Sequence, residues 1–397
     1  MSLPSKFAEN SKSQVADSSM PDLLRQEVIA ATNIVVVKVG TRVLTNADGT
    51  LDEARIARLA EELNEIKQSG RRVILVSSGA VGAGMSQLGL AKRPTDLATL
   101  QAVAAIGQTK LIETYDRTFR KHGRHAAQVL LTAEDLDDRQ RYLNVRNTLL
   151  ALTTLNAIPI INENDTVAVE ELAMTFGDND RLAALVTNLV RAPLLVILSD
   201  VAGLYTGDPT VSSSELVPLV TTLDEKVDGF AFDKKTGHSK GGMASKLRAA
   251  KIVTAAGENV IIASGHEPGT LGRIIAGESV GTLFLAQGKS ISPWKRWIGF
   301  SATPRGKILL DEGACRAINQ NGGSLLAIGI SGTEGAFSKG DIVALCDIQG
   351  RELARGLTNY TALEINRIKG LKSDRIAQVL GHCPYQEVVH RDNLAKV

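Results

Sequence analysis

Short runs of aliphatic residues alternate with segments of helical periodicity from residue 33 onward. Each run is nearly unbroken and rich in Val, Ile or Leu, as expected for parallel strands that are covered on both faces. The pattern predicts six such strands, at residues 34–39, 73–77, 127–131, 158–162, 194–199 and 260–263.

Three of the segments between these runs are predicted to be helices. Residues 52–69 place aliphatic side chains three or four positions apart, and Gly70 stands where the helix would end. Further helices are predicted for residues 180–191 and 245–257. This alternation predicts an α/β fold, with a doubly wound and mostly parallel sheet over residues 31–287.

The pattern changes after residue 287. Residues 288–303 contain two tryptophans without periodicity and are predicted to be a linker. Short strand patterns between glycines then predict a small β-rich domain over residues 304–384, followed by a polar tail at 385–397. Residues 1–30 are predicted to be a disordered or frayed extension. The elements predicted for the second domain are strands at 307–310, 324–327, 341–346 and 351–357 and a helix at 312–319.

Composition narrows the function classes only a little. The chain has 397 residues, enough for two domains, and its net charge of +2 offers no global attraction to nucleic acid or membrane. The three cysteines are far apart and odd in number, and no apolar run is long enough to span a bilayer. The Ser-rich start has no secretory pattern. We therefore expect a cytoplasmic protein without a membrane partner.

Small or polar residues follow four of the predicted strands. Lys38-Val39-Gly40 closes the first strand, and Ser77-Ser78-Gly79 opens a glycine-rich turn after the second. Asn162-Glu163-Asn164-Asp165 follows the fourth strand and Ser199-Asp200 the fifth. Because ligands of open α/β sheets bind at the carboxyl ends of the strands, these clusters predict a site at one edge of the sheet.

The glycine-rich turn after Ser78 is suited to presenting backbone N–H groups to a phosphate at the start of a helix. A tight crossing from strand to helix explains the same glycines equally well. Gln87 stands where the dinucleotide pattern GxGxxG requires its last glycine, and Leu283 stands where a Walker A loop requires its first. These two departures disfavour a Rossmann dehydrogenase and a P-loop enzyme.

Three charged residues are candidates for the chemistry. Lys38 ends a buried strand, where an unpaired ammonium is costly, and Lys246 begins a helix with Ser245 as its possible N-cap. Asp180 follows another acid and Asn179 at a second helix start, which is more acid than capping requires. Plainer explanations are open for each: the lysines could extend into solvent, and Asp180 could be only a cap.

Taken together, these motifs resemble the amino acid kinase family over about residues 33–285. Ser77-Ser78-Gly79-Ala80 stands where acetylglutamate and nucleotide-monophosphate kinases carry three glycines, and is similar to the branch that phosphorylates glutamate. Residues 306–308 and 311–314 resemble a PUA domain, which accompanies the kinase in bacterial members of that branch. The other motifs of the resemblance are Lys38-Val39-Gly40, Asn162 to Asp165, Gly177-Asp178-Asn179-Asp180, residues 199–205 and the Gly-Gly-Met…Lys segment at 241–246.

The resemblance implies ATP-dependent phosphorylation of the γ-carboxylate of L-glutamate to L-glutamyl 5-phosphate, the first step of proline biosynthesis. It implies catalytic roles for Lys38, Lys246 and Asp180. The residues that would bind glutamate are Ser78, Asp165 and Asn179. Those that would bind the nucleotide are Lys38, Ser199, Asp200, Lys240, Gly241, Gly242, Met243, Ala244, Ser245 and Lys246.

ATP and magnesium are the implied cofactors, with the magnesium held by ATP phosphates and no protein metal site. His122 and His125 lack acidic or cysteine partners at useful spacing and are interpreted as surface residues. Two positions depart from the family. Lys240 stands where relatives often carry Thr, which affects the nucleotide loop, and Thr175 stands where many carry Lys, which removes a basic side chain.

The resemblance alone implies proline as a feedback inhibitor and a homo-oligomer, either a dimer or a tetramer. One alternative is another kinase of the same fold, of the aspartokinase or acetylglutamate type. The Ser77–Ala80 turn and the PUA-like domain argue against it. The other alternative is an RNA-binding regulator, because PUA domains accompany RNA-modifying enzymes, although ordinary solvated charge is the plainer explanation. The basic residues that would form its RNA patch are Arg305, Lys307, Arg351, Arg355, Arg367 and Lys369.

Overall fold

Two main β-sheets organise the chain, one of eight strands and one of five. They are seen in a computed structural model that describes residues 20–46, 48–167, 179–231, 242–287 and 292–397. The strands of the larger sheet are β1 (Ile34–Val39), β2 (Arg72–Ser77), β3 (His125–Leu131), β4 (Ala157–Glu163), β5 (Leu194–Ser199), β6 (Leu219–Val220), β7 (Asn259–Ser264) and β8 (Thr282–Phe284).

The larger sheet is mixed but mostly parallel, in the order β3-β4-β2-β1-β5-β7-β8-β6. Six neighbouring strands, from β3 to β7 in that order, run parallel, and only the step from β7 to β8 is antiparallel. Val39 in the central strand pairs with Ser77 of β2 and with Leu198 of β5. The carboxyl ends of these strands therefore meet at one edge, and the predicted α/β sheet is confirmed.

Helices cover both faces of this sheet. Helices α7, α8 and α10 pack on one face, and α3, α5 and α11 pack on the other. The helices of this part of the chain are α1 (Met20–Ala30), α2 (Thr41–Leu44), α3 (Glu53–Gln68), α4 (Ala80–Leu88), α5 (Leu97–Arg120), α6 (Ala133–Asp137), α7 (Arg139–Thr154), α8 (Asn179–Val190), α9 (Glu225–Gly229), α10 (Met243–Ala255), α11 (Thr270–Ile275) and α12 (Pro293–Arg296).

The alternation of side chains along β1 directs Lys38 to the functional face. Val35, Val37 and Val39 belong to the core under α3 and α5, whereas Val36 belongs to the core under α8 and α10. Because successive strand residues point to opposite faces, Lys38 lies on the side of Val36. A lysine in an otherwise aliphatic strand thus faces α8 and α10.

The six predicted strands are all present. β1 and β5 have the predicted bounds, and the other four differ by no more than two residues at either end. The helix predicted at 52–69 is α3, with Asp52 as its N-cap. The helix predicted at 245–257 begins earlier, because Gly242 is its N-cap. The prediction of Ser245 as an N-cap is wrong: Ser245 lies buried in the first turn of α10.

The second domain is built on a five-stranded sheet with the order β11-β9-β12-β13-β15 and a separate pair of β10 with β14. The strand predicted at 307–310 has those bounds, and the β-rich character is confirmed. Its elements are β9 (Lys307–Leu310), β10 (Leu325–Leu326), β11 (Ile330–Glu334), β12 (Ile342–Cys346), β13 (Glu352–Leu357), β14 (Glu387–Val389) and β15 (Leu394–Lys396), with helices α13 (Glu312–Asn321), α14 (Ala362–Ile368) and α15 (Ile376–Leu380).

The prediction of a polar tail at residues 385–397 is wrong, because this stretch completes both sheets of the second domain. β14 pairs with β10, and β15 adds a strand beside β13. Val388, Val389 and Leu394 are buried in the core of the domain. Strands of three residues are too short to show an alternating pattern, so the sequence did not reveal them.

The prediction of a disordered or frayed start is wrong for residues 20–30, which form α1. Arg25 is buried, and its guanidinium donates to the carbonyls of Pro218, Val280 and Gly281 at 2.8 Å each. These contacts fix α1 against the β6–β8 edge of the larger sheet. The rest of the predicted extension, residues 1–19, lies outside the described residues.

The segment predicted as an irregular linker is helical over most of its described length. α12 continues into a π-helical turn over Trp297–Ser301, and Trp297 and Ile298 are buried in the same core cluster as α8. Ile342 and Ala395 of the second domain join that cluster. The prediction failed because a segment buried against two domains has no single polar face and so shows no period.

Candidate active site

An ion cluster of two lysines and one aspartate lies at the carboxyl end of β1. Lys38 Nζ is 2.6 Å from Asp180 Oδ1, and Lys246 Nζ is 3.2 Å from Asp180 Oδ2. Asp180 is fully buried, and each lysine is only 5% exposed. The structure thus brings together the three residues that the sequence predicted as catalytic, although they lie on three separate elements.

The electrostatics of this cluster favour an anion. Burial by itself would raise the pKa of Asp180, but the ammonium groups of Lys38 and Lys246 outweigh it and hold the pKa below its ordinary value. Two buried ammonium groups therefore lie within 3.2 Å of one carboxylate at the edge where the strands end, and this concentration of positive charge can stabilise a negatively charged group.

A hydrogen-bond network lies next to the cluster and joins the ends of β2 and β4 to α8. Asn179 Nδ2 donates to Ser78 Oγ at 2.7 Å, to Asn162 Oδ1 at 3.1 Å and to the Ser77 carbonyl at 3.3 Å. Asn162 Oδ1 also accepts from the backbone N–H of Glu163. Ser78 and Asn179, both predicted to bind glutamate, are therefore in direct contact.

Asn162 is a member of this network to which the sequence assigned no role. Its side chain is buried and aligns Asn179 with the end of β4. An asparagine at the end of an aliphatic strand was the available signal. Asp165, predicted to bind glutamate, is half-buried in the turn that follows β4 at the same edge.

The residues predicted to bind nucleotide border the cluster on its other side. Ser199 ends β5, and its hydroxyl donates to Asp200 Oδ1 at 3.1 Å. Asp200 Oδ2 accepts from Arg42 of α2 at 2.7 Å. Burial alone would raise the pKa of Asp200, but its contact with Arg42 lowers it, so this carboxylate is charged.

The predicted nucleotide loop is described only from its second glycine onward. Gly242, Met243, Ala244 and Ser245 open α10 immediately before Lys246, so Lys246 comes from the first turn of the helix. Lys240 and Gly241 lie outside the described residues, as do Thr175, Gly177 and Asp178.

The glycines after Ser78 have two different uses. Gly79 adopts a left-handed conformation, φ +104°, that turns the chain from β2 into α4. A Cβ atom on Gly84 would lie 1.9 Å from the carbonyl oxygen of Val103 in α5. Gly79 therefore forms the turn that carries Ser78 and its hydrogen bonds, whereas Gly84 allows α4 and α5 to pack closely.

The two histidines lie apart from this site. His122 contacts Glu61 at 2.5 Å on the surface, and no group of three His, Cys, Asp or Glu side chains suited to a metal ion occurs within the described ranges. Over the same ranges, no helix is both long and apolar enough to cross a membrane.

Most of the basic residues proposed for an RNA patch are paired with carboxylates. Pairing weakens the positive potential that would attract a phosphate backbone. RNA binding stays an alternative that nothing in the structure tests. The pairs are Arg305–Asp137 at 3.9 Å, Lys307–Glu334 at 3.1 Å, Arg351–Asp347 at 3.0 Å and Arg355–Glu352 at 2.5 Å.

Comparisons with known proteins identify the family of the chain. The model of the amino acid kinase family matches residues 33–264, and that of the PUA domain matches residues 306–380. The chain is 51% identical over 371 residues to the glutamate 5-kinase of Rhodopirellula baltica, an alignment that covers 94% of this chain and 95% of that protein. The chain belongs to the amino acid kinase family and, within it, to the glutamate 5-kinases.

Further members of the group show comparable similarity. Glutamate 5-kinases of Moorella thermoacetica and Methylococcus capsulatus are 46% and 45% identical over 361 residues, which is 91% of this chain and 95–96% of theirs. The resemblance drawn from the strand-end motifs and the second domain is therefore confirmed.

Proposed function

We propose that the chain transfers the γ-phosphoryl group of Mg-ATP to the γ-carboxylate of L-glutamate, forming L-glutamyl 5-phosphate for proline biosynthesis. The observation that carries this proposal is the buried Lys38–Asp180–Lys246 cluster, which places two ammonium groups at the end of the central strand. It lies between the Ser78–Asn179 network and the Ser199–Asp200 strand end, which are the two sides that the two substrates would occupy.

The reaction needs charge neutralisation more than proton transfer. The γ-carboxylate of glutamate has a pKa of about 4.3 and is already an anion at neutral pH, so no general base is required. It must approach a triphosphate that carries several negative charges. Lys38 stabilises the transferring phosphoryl group, Lys246 neutralises charge towards the β-phosphate, and Asp180 holds the two ammonium groups in position.

The remaining roles rest on the family resemblance, and the position of each residue at the sheet edge supports them. Ser78 and Asn179 bind glutamate, and Asp165 pairs with its α-ammonium group. Backbone N–H groups around Gly40 and Gly79 contact phosphate. The nucleotide lies against Ser199, Asp200 and the loop from Lys240 to Lys246, of which only the part from Gly242 onward is described.

Magnesium enters as part of the Mg-ATP substrate. Both oxygens of Asp180 face lysines, and the described residues contain no cluster of three metal-ligating side chains. ATP phosphates are the usual ligands of magnesium in phosphoryl transfer. We further propose a cytoplasmic homo-oligomer that is inhibited by proline, on the resemblance alone.

The test is ADP release by the purified chain with Mg-ATP and hydroxylamine, which traps acyl phosphates as hydroxamates. L-Glutamate is compared with L-aspartate, N-acetyl-L-glutamate and UMP. Glutamate-dependent turnover with hydroxamate formation is expected. Turnover only with another acceptor would keep the kinase class and contradict the assigned substrate. Folded protein that binds ATP but uses no acceptor would favour a regulatory role instead.

A further inference from the structure

The Ser77–Ser78 strand end is held from both faces of the sheet. Ser78 faces α8 and accepts a hydrogen bond from Asn179. Ser77 belongs to the opposite face, and its Oγ lies 3.3 Å from the hydroxyl of Tyr115 on α5. We propose that Tyr115 is a positioning residue for the glutamate-binding turn and acts through Ser77. This inference rests on the proposed function.

The direction of the hydrogen bonds follows from their acceptors. Ser77 Oγ donates to the backbone carbonyl of Ser78 at 3.2 Å, and a carbonyl can only accept. The single proton of the Ser77 hydroxyl is therefore used. The arrangement that satisfies both contacts has the hydroxyl of Tyr115 donating to Ser77 Oγ. The result is a chain of donors that runs from Tyr115 through Ser77 to the peptide between Ser78 and Gly79.

That peptide connects the chain of donors to the site. In a planar trans peptide the C=O and N–H groups point in opposite directions. A Ser78 carbonyl held towards Ser77 therefore directs the N–H of Gly79 towards the other face, where Asn179 and the lysine cluster lie. Gly79 has a left-handed φ of +104°, so an L side chain would strain this turn. Tyr115 therefore supports the turn from the α5 face of the sheet, and Asn179 supports it from the α8 face.

Burial makes this support independent of pH. Tyr115 is completely buried between α5 and the sheet, and burial raises the pKa of its phenol. The hydroxyl therefore stays protonated and remains a donor over the working range of the enzyme. In a low-dielectric core, loss of this donor leaves Ser77 without its only hydrogen bond from α5 and allows its hydroxyl to turn away from the Ser78 carbonyl.

The test is Tyr115→Phe, which removes only the hydroxyl. We expect the KM for glutamate to rise by about 2- to 10-fold, the scale for one uncharged hydrogen bond, and the KM for ATP to stay unchanged. Ser77→Ala should give the same pattern. The double variant should be no worse than either single variant, because both substitutions break one chain of donors.

The matched control is Tyr142→Phe, which removes a hydroxyl from a buried tyrosine on the other face of the sheet. It should leave the KM for glutamate unchanged. Unchanged kinetics in Tyr115→Phe, even with a lowered melting temperature, would overturn the positioning role while the proposed function stands. Additive effects of Tyr115→Phe and Ser77→Ala would also overturn it. A wild-type enzyme that does not use glutamate would overturn both proposals, and the wild-type assay shows this on its own.

Discussion

At the scale of single residues, Asp180 sets the arrangement of Lys38 and Lys246. Its two oxygens hold Lys38 and Lys246 from different elements, so the carboxylate sets the separation of the two ammonium groups. Capping of α8, the plainer explanation for an acid at this position, does not account for these contacts. The lysines do not extend into solvent either, since both are buried.

We predict that Lys38→Ala and Lys246→Ala each lower kcat by about 10²-fold or more, the scale for losing one electrostatic contact to a transition state. Steady-state ADP release at saturating substrates measures this. Lys251→Ala is the control, because Lys251 lies on the same helix as Lys246 but pairs with Asp228 at the surface. Near-wild-type turnover in either site variant would remove that lysine from the mechanism.

We predict that Asp165→Ala chiefly raises the KM for glutamate, because it removes the partner of the α-ammonium group. The KM for ATP should change little. Initial rates over a matrix of both substrates separate the two constants. Asp392→Ala, which alters an exposed acid of the second domain, serves as the control. An unchanged KM for glutamate would reject the assignment of Asp165 to the substrate site.

The lowered pKa of Asp180 predicts a pH dependence of stability. The folded-state pKa lies below the unfolded value of about 3.9. The carboxylate therefore stabilises the fold fully above that value, and this contribution is lost as the pH falls through the folded pKa. When the pH is lowered below about 4, the free energy of unfolding measured in urea should fall less in Asp180→Asn than in the wild type. Asp228→Asn, which alters an acid at the surface, is the control. An equal loss of stability in Asp180→Asn and in the wild type would contradict the prediction.

At the scale of elements, the packing of α4 against α5 supports the turn at Gly79. A Cβ atom on Gly107 would lie 1.8 Å from the carbonyl oxygen of Ala80 and 2.5 Å from the N of Gly84. The glycine-rich sequence after Ser78 thus serves helix packing as well as the site. The sequence could not separate the two uses, because both require residues without a side chain.

We predict that Gly107→Ala lowers the free energy of unfolding by about 1–3 kcal/mol, the usual scale for overpacking, although alanine favours a helix. Urea unfolding at neutral pH measures the change. Gly229→Ala is the control, since a Cβ atom there would meet no atom within 4 Å. A Gly107→Ala protein as stable as the wild type would show that α4 and α5 separate easily.

At the scale of the whole molecule, a buried junction joins the two domains. The guanidinium of Arg139 lies 5.2–5.4 Å from the ring centroids of Tyr142, Trp294 and Trp297. Trp294 Nε1 donates to Asn393 of the second domain at 2.8 Å. α7 begins with Arg139 and is followed by β4, which ends in the Asn162 network. The junction therefore packs against a helix that leads to the site.

We predict that Arg139→Ala weakens the coupling of the two domains. Removal of three cation–π contacts should cost about 1–3 kcal/mol, and thermal unfolding should broaden or separate into two transitions. Calorimetry measures this, with the exposed Arg141→Ala as the control. A single transition at the wild-type temperature would show that the tryptophans hold the junction without Arg139.

Local patterns in the sequence are enough to predict the central sheet and the edge that carries the chemistry. Aliphatic runs such as Ile34–Val39 form strands because every residue in them is buried, and parallel strands place the residues after them together. The candidate residues could therefore be named from local patterns. Which of them touch depends on how the whole chain packs. Strand alternation directs Lys38, whereas Asp180 and Lys246 come from the first turns of two helices, and no local spacing relates the three.

The tertiary structure alone also decided the roles of segments that lack a period. Trp297–Ser301 is buried against two domains and therefore shows no one-sided spacing. β14 and β15 are three residues long, which is too short for a periodic pattern. Tyr115 was indistinguishable from any other core aromatic of α5 until Ser77 was placed beside its hydroxyl. The physical reason is common to all these cases: periodicity records burial against one layer, whereas contacts between distant segments depend on the packing of the whole chain.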